Sequence, residues 1–379
     1  MTARTPALVA LLFGMALTPL ARAACTTRPS PTLEFARRTD EVRALLPERV
    51  RALEAALFGP DRGRDAPRTD ALIVVHQGAI FYERYARGYS RTMPHLGWSV
   101  TKSVTNLLTG IAVKDGRAAL SDSVCRHLPW APASRCGITV QHLLEFASGI
   151  DWLEEYESAS LQDSSVIAML FGEGHKDMAR FVLEQETRDP PGTSYEYSTG
   201  ESVLLGAVID AAMTPAHGAD YPWKLLFDPL GVTTATLEVD AAGRHVGGAY
   251  FYASPEDWAR LGVFLLDDGC WEGKRLLPDG WVSASTTVSE PFLRKRVGDL
   301  PEDEQGRQFW LNRVVPGVRD RRPWPDMPED TFSAIGHWGQ FITVVPSKDL
   351  VIVRAGDDRD QSFDTNRFMA LAMALTGEP

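Results

Sequence analysis

The sequence predicts a mixed α/β fold of the α+β kind. One central antiparallel sheet is built from both ends of the chain and flanked by helices, with a mostly helical insertion between. Three observations carry this. Strand-like apolar runs lie near the start, at 71–76 and 79–85, and near the end, at 340–345 and 350–354. Helix-period stretches fill the middle. Each strand pair is joined by a short turn, Gln77-Gly78 or Pro346-Ser347-Lys348-Asp349, so its partners are hairpin neighbours. The economical arrangement puts both hairpins in one sheet covered by the terminal helices.

In chain order, residues 1–23 read as a secretory signal peptide. Arg4 supplies the charge, residues 7–20 the apolar run, and Ala21-Arg22-Ala23 the small residues at a cleavage site. The run is short and broken by Pro19, so it is no stable membrane span. Residues 24–379 read as a single catalytic domain, with an α/β part at about 33–115 and 305–379 and a helical part at about 116–304. A proline start and a Gly59-Pro60 stop mark a helix at 47–57, before a solvated Arg/Asp-rich loop at 61–70. Val104, Leu107, Leu108 and Ile111 recur at helical spacing, giving an amphipathic helix at about 99–114 closed by Asp115-Gly116. Further helices follow at 139–146, capped by Thr139, and around 178–184 in an otherwise polar stretch. Two more carry Leu204 to Ala211 and the segment after Ser254-Pro255-Glu256-Asp257. Residues 316–330, rich in Pro, Arg and Asp, read as an exposed excursion, and 363–375 as a closing helix.

At 379 residues the chain can bury a large core. Its formal charge of −11 becomes −13 once Arg4 and Arg22 leave with the signal peptide, which excludes a nucleic-acid footprint. The signal peptide places the protein in the periplasm or outside the cell, where its four cysteines point to disulfides. Cys125 and Cys136 bracket a short Pro-rich loop and form the expected pair. Cys25 and Cys270 pair with each other or stay free. Lipid on Cys25 is disfavoured by Arg22, where such signals carry an apolar residue. The histidines show no paired metal spacing, and neither metal nor cofactor is expected.

The chemistry centres on Gly97-Trp98-Ser99-Val100-Thr101-Lys102. Lys102 is the one lysine with a serine three residues before it, which on a helix puts Ser99 and Lys102 on one face. A serine hydroxyl needs a base to take its proton, and a lysine serves once burial lowers its pKa. Backbone N–H groups at a helix start suit a developing oxyanion. Two further stretches supply partners. In Pro191-Gly192-Thr193-Ser194-Tyr195-Glu196-Tyr197-Ser198-Thr199-Gly200, a turn leads into a helix, and a tyrosine there can shuttle protons if nearby lysine charge lowers its pKa. Gly336-His337-Trp338-Gly339-Gln340 opens a strand where glycine admits substrate close to the backbone. Trp152, Glu154 and Tyr156, after Ser148-Gly149, either line the cleft or pack the insertion.

Ser99-x-x-Lys102, Pro191-Gly192 with Tyr197-x-Thr199, and His337-x-Gly339 in this order resemble the serine β-lactamase and penicillin-binding-protein superfamily. Within it the chain is most similar to class C β-lactamase-like hydrolases: family VIII esterases, D-amino-acid peptidases and 6-aminohexanoate-dimer hydrolases. Ile138 to Leu144 before Ser148-Gly149, and Asp228-Pro229-Leu230-Gly231, resemble that group too. The resemblance implies a β-lactamase/transpeptidase-like fold, a Ser99 acyl-enzyme, Lys102 as base and Tyr197 as general acid/base. It also implies an oxyanion hole from the N–H groups of Ser99 and Gln340, and Thr199, His337, Trp338 and Gly339 bordering the substrate. Thr199 replaces the family's usual asparagine, and His337 the lysine that holds a β-lactam carboxylate. Both departures favour a small-molecule ester or amide as substrate. The alternatives are a D,D-peptidase or weak β-lactamase acting on cell-wall-like substrates, and a non-hydrolytic penicillin-binding or sensor protein. The motifs leave the oligomeric state open.

Overall fold

The computed structural model describes residues 25, 34–59, 66–157, 163–294, 304–317, 320–360 and 362–377. The signal peptide expected over 1–23 and most of the loop expected over 61–70 lie outside these described residues. Seven strands form the main sheet: β1 (Thr69–His76), β2 (Ala79–Tyr85), β3 (Glu304–Gln305), β4 (Trp310–Leu311), β5 (Phe332–Gly336), β6 (Gln340–Val345) and β7 (Leu350–Gly356). Their order is β2-β1-β7-β6-β5-β4-β3, and every pairing is antiparallel. The two chain ends meet where β1 pairs with β7, with Val74 opposite Ile352.

Every residue of β1, β6 and β7 is buried. These strands therefore read as continuous apolar runs rather than alternating ones, because both faces of the sheet are covered. On one face, α1 (Thr39–Leu45), α2 (Pro47–Leu57) and the last helix pack Val50, Leu53 and Phe368 against Leu72, Val74 and Ile352. On the other, Ile73, Val75, Val351 and Val353 meet helices from the chain's interior. The terminal helices thus cover one face only. Successive strand residues point to opposite sides, so the second face needs its own apolar layer.

The helices that matter for the site are α3 (Val100–Lys114), α4 (Val140–Leu144), α5 (Met178–Glu184), α6 (Thr199–His217), α7 (Pro255–Leu266) and the terminal α8 (Thr365–Met373). Their starts follow from local chemistry. Thr139 and His142 form a reciprocal capping box on α4, and the Ser254 hydroxyl accepts from Asp257 N at 3.2 Å ahead of Pro255 on α7. Each such cap contributes about 1 kcal/mol. The stretch before α5 also holds a helix at Ser165–Leu170, capped by Ser164.

Helix α3 departs from its amphipathic pattern. From Val100 to Ala112 every residue is buried, polar ones included. It runs between the sheet and the insertion, and its polar face is satisfied from both: Thr105 donates to Gly247 O in the insertion at 2.7 Å and Ser103 to Gln308 O, just before β4, at 2.7 Å. A small sheet of His95–Leu96, Phe251–Ala253 and Thr236–Leu237 ties the segment before Ser99 to the insertion. Two-residue strands carry no periodic signal, so it was not legible in the sequence. The 316–330 stretch is not a wholly exposed excursion either. Trp324 and Met327 are buried against the terminal-helix layer, and the Asn312 amide donates to Trp324 O and Pro328 O. Disulfides join Cys125 to Cys136 and Cys25 to Cys270.

One buried brace ties the segment after α4 to α6 within the insertion. The Glu201 carboxyl accepts from the Ser148 hydroxyl at 2.8 Å and from Ser148 N at 3.2 Å. Burial pushes its pKa up from 4.5 to about 8, the Ser148 hydrogen bonds opposing. The folded carboxyl keeps its proton over a range in which the unfolded one loses it. Stability therefore falls as pH rises from about 4.5 towards about 8. Glu201→Gln does not titrate, so its melting temperature is expected to drop less between pH 5 and pH 8 than the wild type's. Equal drops in a thermal-unfolding series would contradict the brace.

Candidate active site

Ser99 is the N-cap of α3, and Lys102 lies one turn on. Lys102 is buried at 2 % exposure, and its Nζ donates to Ser99 Oγ at 2.8 Å, Thr199 Oγ1 at 2.8 Å and Gly248 O at 3.0 Å. Burial lowers its pKa from 10.5 to about 8, with the nearby Glu154 carboxylate pulling the other way. Gly248 reaches this point because it lacks a side chain. A Cβ there would lie 2.6 Å from Thr199 O. Just before the serine, Trp98 has φ 48°, a left-handed conformation unfavourable for a bulky residue.

The second wall comes from the start of α6, where Ser198 caps the helix through Glu201 N at 3.0 Å. The ring of Tyr197 lies against the Lys102 amine, 4.9 Å from Nζ to its centroid, and packs on Phe146 and Trp310. Its hydroxyl hydrogen-bonds to Ser99. Burial, and then the charge of Glu154, raise its pKa well above the usual phenol value. The condition that lysine charge lowers the tyrosine pKa is therefore not met, and the phenol keeps its proton. Tyr195, two residues earlier, packs instead between Phe146 and Phe292 in the core.

Glu154 is one of three residues, with Trp152 and Tyr156, whose place the sequence leaves open. Its carboxylate accepts from the Thr199 hydroxyl, from Thr199 N at 2.8 Å, from Trp152 Nε1 at 2.6 Å and from Tyr156 hydroxyl at 3.3 Å. Trp152 itself packs in the insertion's core. Tyr156 faces the cleft, its ring stacked on His337 at 4.7 Å. The signal available in the sequence was the Trp-x-Glu-x-Tyr spacing after Ser148-Gly149, which by itself gives no partner.

The third wall is the turn from β5 to β6. A Cβ on Gly336 would meet the Gly97 carbonyl oxygen at 2.0 Å, so glycine is what lets this turn lie against the segment leading to Ser99. His337, Trp338, Trp98 and Tyr156 form an aromatic cluster, with His337 5.6 Å from the Trp98 ring. His337 Nε2 lies 2.8 Å from Glu157 Oε1 without hydrogen-bond alignment, and Trp338 Nε1 donates to the same oxygen at 3.2 Å. Burial lowers the His337 pKa against the pull of Glu157, so the imidazole is neutral at neutral pH. A cavity of about 490 Å³ borders this cluster, lined among others by Glu154, Tyr156, His337, Trp338 and Gly339. The Gln340 side chain is used within the sheet: it donates to Gly356 O at 2.8 Å and accepts from Gly356 N at 3.0 Å. Only its backbone remains for the role expected of it.

Comparison with known proteins agrees with this fold. A family model described as Beta-lactamase matches residues 55–372. The chain is 24% identical over 340 residues to the 6-aminohexanoate-dimer hydrolase of Paenarthrobacter ureafaciens, covering 86% of this chain and 81% of the relative. Its structure is similar to a D-stereospecific amidohydrolase from a Streptomyces species, with TM-score 0.60, 17% identity and coverage of 85% and 98%. It is also similar to a penicillin-binding protein homologue from Caulobacter crescentus, with TM-score 0.61, 16% identity and coverage of 88% and 98%.

The third wall is held from behind by one ion pair. Arg354 on β7 is fully buried and pairs with Asp358 through two bonds, at 2.6 and 2.8 Å, while it also donates to Gly339 O at 2.8 Å. Removing one partner leaves a buried charge uncompensated. Asp358→Ala is expected to lower the unfolding free energy by about 3–5 kcal/mol in urea titrations. A loss below about 1 kcal/mol, the scale of an exposed pair, would show that the pair does not hold the turn.

Proposed function

We propose, for a chain that belongs to the Beta-lactamase family, that it is an exported serine hydrolase cleaving an ester or amide bond of a small substrate through a Ser99 acyl-enzyme. One observation carries this reading: a buried lysine amine, its pKa brought down to about 8, stands 2.8 Å from a serine hydroxyl at a helix start. About a tenth of such an amine is free base at pH 7. In the proposed acylation the Ser99 proton passes to Lys102 Nζ while Oγ forms the bond to the substrate carbonyl carbon. The oxyanion is held by the backbone N–H groups of Ser99 and Gln340. Tyr197, kept protonated by burial, gives its proton to the leaving group and is reprotonated from the Lys102 ammonium. Water then releases the acyl group by the reverse proton path.

The substrate-side residues argue for esters or amides over β-lactams. Where a β-lactam carboxylate would need a fixed cation, this site has a neutral His337 with the Glu157 carboxylate beside it. Thr199 offers a hydroxyl in place of a carboxamide and spends it on Glu154. The amidohydrolase named in the Streptomyces neighbour and the dimer hydrolase named in the Paenarthrobacter relative fit the same choice. Two disulfides support an oxidising compartment. The Cys25–Cys270 bond also consumes the thiol that a lipid anchor would require.

Ser99→Ala is expected to abolish hydrolysis of a p-nitrophenyl ester and to remove the intact-mass adduct of a serine-directed probe. Undiminished turnover would end the assignment. Because the amine acts only when unprotonated, kcat/KM should rise with pH, bend at about 8 and level off above. A profile flat from pH 6 to 9 would rule Lys102 out as the base.

A further inference from the structure

We propose that Glu154 is a positioning residue that sets the direction of proton transfer at Ser99, by keeping the Thr199 hydroxyl an acceptor towards Lys102. The inference rests on the reading of Ser99 as nucleophile and Lys102 as base, and follows from counting hydrogens around Nζ. A neutral lysine amine has two N–H donors and one lone pair. Its three neighbours are Gly248 O, Thr199 Oγ1 and Ser99 Oγ. The carbonyl can only accept. The Thr199 hydroxyl could do either, but its hydrogen is given to Glu154 Oε1, so it too accepts from the lysine. Both N–H groups of the amine are thereby committed, and the lone pair is left facing the Ser99 hydroxyl. Once the Ser99 proton has moved, the new third N–H of the ammonium points back at Ser99 Oγ, and no other bond in the set has to turn.

Glu154 can enforce this because all its named partners are donors. Oε2 accepts from Thr199 N and Trp152 Nε1, which cannot reverse, and Oε1 accepts from the hydroxyls of Thr199 and Tyr156, which can. An amide in place of the carboxylate has one oxygen and one NH₂. It will keep the oxygen for the two N–H groups and turn its NH₂ to the two hydroxyls. The Thr199 hydrogen is then released towards the Lys102 lone pair, with Nζ 2.8 Å from Oγ1. The base is occupied by the wrong proton although no side chain has moved and the volume is unchanged.

The test is a double-mutant cycle on the full chain, Glu154→Gln against Thr199→Ala, with Ser99→Ala as control and an activated ester as substrate. Glu154→Gln is expected to lower kcat on the order of 10²-fold, the scale of a general base, with KM little changed. Its acid limb should also shift to lower pH, because Lys102 loses the carboxylate that favours its charged form. On the Thr199→Ala background, where there is no hydroxyl hydrogen to misdirect, the same substitution should cost less than about 2-fold. An equal cost in both backgrounds, or wild-type kcat and pH profile in Glu154→Gln, would overturn the proposal. Should Glu154→Gln fail to fold, Thr199→Ser and Thr199→Val replace it. The serine variant should keep the wild-type pH profile and most of kcat, the valine variant neither, and equal behaviour of the two overturns the proposal. An active Ser99→Ala would instead remove the underlying reading, so the two failures are distinguishable.

Discussion

A lysine amine taken out of water is the constraint around which the rest of the structure is arranged. Burying a charged ammonium without partners is very costly, so the group either loses its proton or finds acceptors. Lys102 does part of each: its pKa falls to about 8, and three oxygens surround it. Those oxygens come from residues 99, 199 and 248, far apart in the chain. Only a fold that brings α3, the start of α6 and the glycine segment before Phe251 to one point can satisfy them. The full burial of α3 follows, since a helix carrying a buried lysine must be covered on the side where its polar residues point.

The sheet supplies the rigidity this requires. Closing it through β1 and β7 joins the two chain ends, and β5 and β6 then present the Gly336–Gln340 turn beside Ser99. Left-handed backbone at Trp98 and Trp338 flanks the site on both sides. Such conformations persist only where the surroundings over-determine them. At Trp338 that role falls to Arg354, Asp358 and the Gln340 side chain, all anchored on β7 or the segment after it. The carboxylates divide the remaining work. Glu201 is buried without a cation and keeps its proton, whereas Glu154 gathers four donors beside Lys102.

Much of this was legible in the chain, for local reasons. Helix starts at Pro47, Thr139 and Ser254, the two hairpins and the one-turn spacing of Ser99 and Lys102 depend on residues within a turn of each other. The pairing of Cys125 with Cys136 depends on a short loop in the same way. In the sequence, only the resemblance sets Tyr197 apart from Tyr195. In the fold the difference is physical: one ring lies against the lysine and the other is sealed between Phe146 and Phe292.

The sequence by itself determined the elements, their order and the residue types of the site, because propensity, caps and periodicity act over a few residues. Tertiary structure alone decided the partner of Cys25, the second layer over the sheet and the burial of Trp324 and Met327. It also decided the protonation of Lys102, Tyr197 and Glu201, and the place of Glu154 among its donors. These share one cause. A pKa or a hydrogen-bond direction is set by how much water is excluded and by which groups arrive from elsewhere in the chain. No local spacing encodes either.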